Sequence, residues 1–85
     1  MKVSTTTLKL LEIFGWYGAA AILLAYALVS FGAIPANGWI YQLLNLTGAI
    51  GVMVISFIKQ ARQPALLNLV WAVVALVALI SLVFR

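Results

Sequence analysis

Three long runs of apolar residues, separated by two short polar segments, dominate the pattern of this chain. The runs cover residues 13–33, 40–58 and 65–84. At about 1.5 Å per residue, helices over these runs would be roughly 28–32 Å long, which matches a hydrocarbon core of about 30 Å. None of the runs shows the period-two alternation of a barrel strand. The pattern therefore predicts three transmembrane α-helices.

The two polar segments predict tight connections between these helices. Residues 35–38 read PANG, in which Pro sets φ and Asn-Gly tolerates a positive φ, so this segment predicts a turn. Residues 59–64 form the second connection and end on Pro64, a residue suited to the first turn of a helix. Connections this short make successive helices antiparallel neighbours. We expect a single membrane domain over residues 1–85.

Composition leads to the same class of protein. Hydrophobic residues make up 67% of the chain and charged residues 7%, whereas soluble domains carry about 45–50% and about 25%. A chain of 85 residues also has too much surface for its volume to hide so many apolar side chains from water. The expected fold class is an all-α integral membrane protein.

The residues available for chemistry are few. The chain has no Cys, no His and one acidic residue, Glu12. Metal and haem sites need thiolate, imidazole or clustered carboxylate ligands, and acid–base catalysis needs titratable groups. We therefore expect no enzyme activity, no metal and no cofactor. The five basic residues are spread along the chain and form no basic face, so nucleic acid is not an expected partner.

The positions of the basic residues predict an orientation. With three spans, Lys2, Lys9, Lys59 and Arg62 share one side of the membrane, and only Arg85 lies on the other. Because cytoplasmic segments carry the excess of Lys and Arg, we expect the N-terminus in the cytoplasm and the C-terminus outside, in the cytoplasmic (inner) membrane. Interfacial aromatic belts are expected from Trp16, Tyr17, Trp39 and Tyr41.

Successive residues of an α-helix are about 100° apart around its axis. On this spacing, each run has one face of small and polar residues. These faces contain Glu12, Gly15, Ala19, Tyr26, Ser30 and Ala33 in the first run, Gln42, Asn45, Ala49, Val52 and Ser56 in the second, and Ala65, Asn68, Ala72 and Ala75 in the third. Tyr17 lies opposite the first face. Helices in lipid associate through small residues and interhelical hydrogen bonds, so these are the predicted packing faces. Thr47 and Gly51 give the second run another packing face, which favours a homo-oligomer, with a dimer preferred.

Five side chains near these faces are candidates for a polar cavity: Tyr26, Gln42, Asn45, Asn68 and Trp71. Unsatisfied polar groups in hydrocarbon cost several kcal/mol, so each needs a partner. One interpretation is mutual satisfaction, such as a bond from the Tyr26 hydroxyl to the Asn45 amide. The other is a cavity at the helix junction, walled by Tyr26 and Trp71, that binds a small molecule.

Glu12 is the single candidate for proton chemistry, since an acid within a membrane span is a functional hypothesis by default. It also lies at the cytoplasmic end of the first span, one turn from Lys9 and on the side of Lys59 and Arg62. An interfacial ion pair or a favourable charge in the first helical turn is the structural alternative.

Four segments resemble a known family: GWYG at 15–18, AY at 25–26, YQLLNLTG at 41–48 and QPALLNLVW at 63–71. The chain resembles an uncharacterised bacterial family of small three-helix membrane proteins. The resemblance covers nearly the whole chain and implies a fold but no activity.

The chain also resembles, more remotely, SemiSWEET and other PQ-loop half-transporters. The shared features are a three-helix unit, a Gly-rich start to the first span, and Pro64 followed by Asn68 in the third. The resemblance implies a triple-helix bundle in the order 1–3–2, paired with a second copy around a sugar pathway. It implies binding roles for Asn68 and Trp71. The Pro-Gln motif of that family is missing from the first span.

Three functions follow as hypotheses. The first is a homodimeric half-transporter for a small neutral or polar solute, because three helices are too few to enclose a route. The second is a structural or accessory subunit of a larger membrane complex. The third is a protein that binds a lipid or another lipophile.

Overall fold

A computed structural model describes residues 3–84 of the chain and contains three α-helices. They are α1 (Thr5–Ser30), α2 (Trp39–Ile58) and α3 (Arg62–Val83). The prediction of an all-helical, three-helix chain is confirmed. Each helix is long and apolar enough to cross a membrane.

The first helix extends beyond its apolar run at the N-terminal end and stops before its C-terminal limit. It starts at Thr5 because the Ser4 hydroxyl accepts a hydrogen bond from the Thr7 N–H at 3.1 Å, which caps the free end of the helix. It ends at Ser30 because Gly32 adopts a left-handed conformation, with φ of 76°. The N–H groups of Gly32 and Ala33 then donate to carbonyls of the last turn, which is the hydrogen bonding of a Schellman motif.

The second and third helices meet in a tight connection of the same kind. Gln60 takes the left-handed conformation here, with φ of 59°. Its N–H donates to the Phe57 carbonyl, and the Ala61 N–H donates to the Ser56 carbonyl. Pro64 lies in the first turn of α3, as predicted. The predicted turn at 35–38 is also present, closed by a bond from the Gly38 N–H to the Pro35 carbonyl at 3.3 Å.

Helix α2 lies between the other two helices, and all neighbours are antiparallel. Within residues 3–84, α1 and α3 each pack against α2 and do not pack against each other. The spatial order is therefore 1–2–3, which corrects the order 1–3–2 implied by the SemiSWEET resemblance. The reason is that α2 carries small residues on two faces, so it accepts a close neighbour on each side.

The contact between α1 and α2 depends on glycine. The Cα of Gly18 faces the backbone of Gly48, and Gly51 faces the carbonyl of Phe14. A Cβ atom at Gly18 would overlap the Gly48 carbonyl oxygen, so the two backbones are closer than side chains allow. The predicted second packing face of α2 is thus present, but α1 of the same chain covers it.

The packing face of α1 differs from the predicted one by roughly a quarter turn. Its buried residues are Gly15, Gly18, Ala21 and Ala25. Of the predicted face, Gly15 is buried, whereas Tyr26 and Ser30 are exposed. The predicted face followed polar residues, but the smallest residues set the contact because they permit the closest approach.

The faces of α2 and α3 agree better with the prediction. Asn45, Ala49 and Ser56 are buried on α2, and Ala65, Ala72 and Ala75 are buried on α3. Among the described residues, the buried apolar side chains are all alanines. The interior is therefore a set of close backbone contacts and not a core of large side chains.

We predict that Gly18→Ala lowers the free energy of unfolding by about 1–3 kcal/mol, because the added methyl group forces α1 away from the Gly48 carbonyl. The measurement is SDS titration in mixed micelles, followed by circular dichroism. Ala20→Val is the control, since Ala20 is exposed on the same helix and the change should be near zero. Equal losses in both variants would contradict the close contact.

Candidate functional site

A hydrogen bond between two side chains joins α2 to α3. The Trp71 Nε1–H donates to the Asn45 Oδ1 at 3.1 Å. Asn45 is buried, at 3% exposure, and its Nδ2 donates to the Tyr41 carbonyl at 2.9 Å. Both ends of the amide are therefore satisfied. Because leaving such a group unpaired costs about 1–3 kcal/mol, this bond stabilises the packing of α3 on α2.

An open groove of about 270 Å³ surrounds this bond. Its hydrogen-bonding side chains are Tyr41, Gln42, Asn45 and Trp71, and its remaining walls are Leu67, Val70, Val74 and Ala75. The groove is thus mainly apolar, with its polar groups contributed largely by the start of α2. It can hold a small molecule that offers both an apolar surface and a few hydrogen-bonding groups.

Three of the five residues predicted for a polar cavity meet in this groove: Gln42, Asn45 and Trp71. Asn68 does not line it, because its Nδ2 donates to the Pro64 carbonyl of its own helix at 2.8 Å. Tyr26 does not line it either. It is 69% exposed on α1, which packs on a different face of α2. The expected bond between Tyr26 and Asn45 is absent from the described residues.

A second pair of polar side chains joins α1 to α2. The hydroxyls of Tyr17 and Thr47 lie 2.7 Å apart, and Thr47 Oγ1 also donates to the Leu43 carbonyl at 2.9 Å. With the Thr47 proton directed at Leu43, Tyr17 is the donor of the bond between the helices. Tyr17 was expected on the face opposite the packing face, so this contact corrects that prediction. The sequence feature that could have indicated this contact was Thr47, which places a hydroxyl on the second small-residue face of α2.

Glu12, in the first half of α1, forms an ion pair with Lys59, which directly follows α2. The Glu12 side chain is 39% exposed and that of Lys59 is 56% exposed. A pair with this exposure contributes about 0–1 kcal/mol. The pair agrees with the ion-pair interpretation of Glu12, and the hypothesis of proton chemistry stays a prediction.

Comparison with known proteins identifies the family. The model of an uncharacterised protein family matches residues 11–85. The chain belongs to that family. None of the curated proteins or solved structures compared with it is detectably similar.

Membership of this family supports the first of the two resemblances. The match begins just before Glu12 and includes most of α1 and the whole of α2 and α3. No comparison supports the resemblance to SemiSWEET, and the helix order also differs from the one it implies. The family brings no activity with it, so function has to be argued from the groove and the charges.

We predict an energetic coupling of about 0.5–2 kcal/mol between Trp71 and Asn45, measured by a double-mutant cycle of Trp71→Phe and Asn45→Leu. Each single change leaves one partner of the bond unpaired, whereas the double change removes both. The readout is the free energy of unfolding in SDS-titrated micelles.

The control cycle pairs Trp71→Phe with Asn68→Leu. Asn68 bonds to its own backbone and not to Trp71, so its coupling to Trp71 should be close to zero. A coupling as large as that of Asn45 would show that the cycle reports general helix loosening.

Proposed function

We propose that this member of the family is a multi-pass protein of the bacterial cytoplasmic membrane that, as a dimer, passes a small neutral or polar solute. The observation that carries the proposal is the open α2–α3 groove, which combines hydrogen-bonding and apolar walls. Membrane placement, orientation and dimer formation are parts of the same proposal and are argued in turn.

Membrane placement is supported by what the helices expose. Large apolar side chains face outward on all three helices, such as Leu23 at 68%, Phe57 at 49% and Val74 at 61%. The buried apolar residues are alanines, whose burial contributes little hydrophobic free energy. In water this chain would expose most of its apolar surface, whereas in lipid the same surface faces a matching solvent.

Orientation is supported by the distribution of charge on the described residues. Lys9, Lys59 and Arg62 lie at the end of the bundle where α1 begins and α2 meets α3. The connection at 31–38, at the opposite end, carries no charged residue. The positive-inside rule then assigns the charged end to the cytoplasm.

We predict that a membrane-impermeant maleimide labels Asn37→Cys but not Thr5→Cys in intact spheroplasts. Both positions are exposed, and the chain has no Cys of its own, so each variant carries a single reactive thiol. Lysed membranes provide the control, in which both variants should react. The reverse pattern in intact spheroplasts would invert the proposed topology.

Dimer formation is supported by Tyr26. Its side chain is 69% exposed, and its hydroxyl has no hydrogen-bond partner within residues 3–84. A tyrosine hydroxyl within an apolar span needs a partner from outside the chain. With Gly18 opposite Gly48 and Phe14 opposite Gly51 in the antiparallel pair, Tyr26 lies near the level of the start of α2, where Gln42 is found.

A two-fold dimer offers that partner. Two-fold symmetry lets the outer face of α1 in one copy cover the α2–α3 groove of the other, and the reverse. Tyr26 would then complete the polar wall that Gln42 begins. The groove would become an enclosed route between two copies, which one chain of three helices cannot form.

We predict that Gln42→Leu slows glycerol entry into proteoliposomes by about two- to tenfold, since it removes one neutral hydrogen bond from the route. The measurement is light scattering after osmotic mixing, with glycerol and glucose as probes. Asn68→Leu is the matched control, because it also replaces an amide but lies outside the groove. Equal rates in wild type, both variants and empty vesicles would contradict solute passage.

The runner-up function is an accessory subunit of a larger membrane complex, and the outward Tyr26 supports it as well, because another protein could supply the missing partner. Native mass spectrometry from lipid discs distinguishes the two functions. A dimer of this chain favours passage, whereas one copy bound to a larger protein in fixed ratio favours the accessory role.

A further inference from the structure

The basic residues at the α2–α3 connection outnumber the acids that could pair with them. The whole chain has five basic residues and one acid, and that acid is engaged by Lys59. Arg62 and Lys9 are exposed and have no acidic partner within residues 3–84. Their charges are therefore free to attract anions from the surroundings.

Arg62 lies at one end of a groove of about 370 Å³ between the ends of α2 and α3. Gln60 and Arg62 form its polar end, next to the connection, and Phe57 and Leu66 form its apolar wall. Phe57 is 49% exposed and Leu66 is 56% exposed, so both offer free apolar surface. The polar end precedes the apolar run at 65–84, whereas Leu66 lies within it. The groove thus passes from the level of lipid headgroups into the hydrocarbon.

From this arrangement we infer that the groove binds one anionic phospholipid. The Arg62 guanidinium holds the phosphate, because its planar fork matches phosphate oxygens. The Gln60 amide donates a further hydrogen bond, and the first part of an acyl chain lies against Phe57 and Leu66. A zwitterionic lipid is a weaker ligand, because its own ammonium group neutralises the phosphate. Its headgroup therefore offers Arg62 no net negative charge.

The backbone at Gln60 supports this assignment. Gln60 occupies the left-handed position that ends α2, with φ of 59°, where glycine is the usual residue. Gly32 fills the corresponding position after α1. A residue other than glycine in this strained conformation is a reason to ask what its side chain does, and here the side chain forms part of the polar end of the groove.

The test is native mass spectrometry of the protein in mild detergent, with phosphatidylglycerol and phosphatidylcholine of identical acyl chains. We expect wild type to prefer phosphatidylglycerol roughly fivefold, the effect of one cation near an anionic headgroup. Arg62→Gln should reduce the preference to near one. Lys9→Gln is the matched control, since it removes the same charge outside the groove, and it should keep the preference.

Three results would overturn the inference. They are no preference in wild type, an equal loss in both variants, and displacement of the lipid by excess glycerol 3-phosphate, which carries the headgroup charge without acyl chains. Circular dichroism spectra of Arg62→Gln and wild type should coincide, so misfolding can be recognised.

The inference rests on membrane placement and not on solute passage, and the two can fail separately. Arg62 is outside the α2–α3 groove around Trp71, so Arg62→Gln should leave the rate of glycerol entry unchanged.

Discussion

The close approach of α1 to α2 at Gly18 and Gly48 is the contact on which the rest of the bundle depends. Neither residue has a side chain to hold the helices apart, and the carbonyl oxygens occupy the space that Cβ atoms would need. In the proposed lipid environment no hydrophobic force acts between helices, and van der Waals contact at such points then holds them together. This contact uses one face of α2 and leaves its other face for α3, which makes α2 the central helix.

Hydrogen bonds between side chains secure each of the two interfaces of α2. Tyr17 and Thr47 join it to α1, and Trp71 and Asn45 join it to α3. In the proposed membrane both bonds would lie among apolar surroundings, where an unpaired group is costly. Each therefore favours one register of the helices over others that would pack small residues equally well. The hydroxyl of Tyr26 has no such partner within residues 3–84, so the outer face of α1 is where a further contact is expected.

The charges distinguish the two ends of the molecule. At one end, Glu12 and Lys59 form an ion pair, whereas Arg62 and Lys9 are exposed. The other end holds an uncharged turn. Between them, the groove around Trp71 offers hydrogen bonds without fixed charge, which suits neutral solutes. The proposed lipid site at the charged end and the proposed solute site near Trp71 are thus chemically separate.

Local features of the sequence were enough to predict the three helices, the turn at 35–38 and the place of Pro64, because apolar run length and backbone chemistry act within a few residues. They were also enough for the alanine face of α3 and for the meeting of Gln42, Asn45 and Trp71. The residues that form each contact were predicted less well. Tyr26 and Asn68 shared the polarity of the groove residues, but α1 packs by its glycines and the Asn68 amide turns to Pro64. Periodicity shows which face of a single helix is small or polar. Which face contacts which neighbouring helix depends on how closely the two backbones can approach.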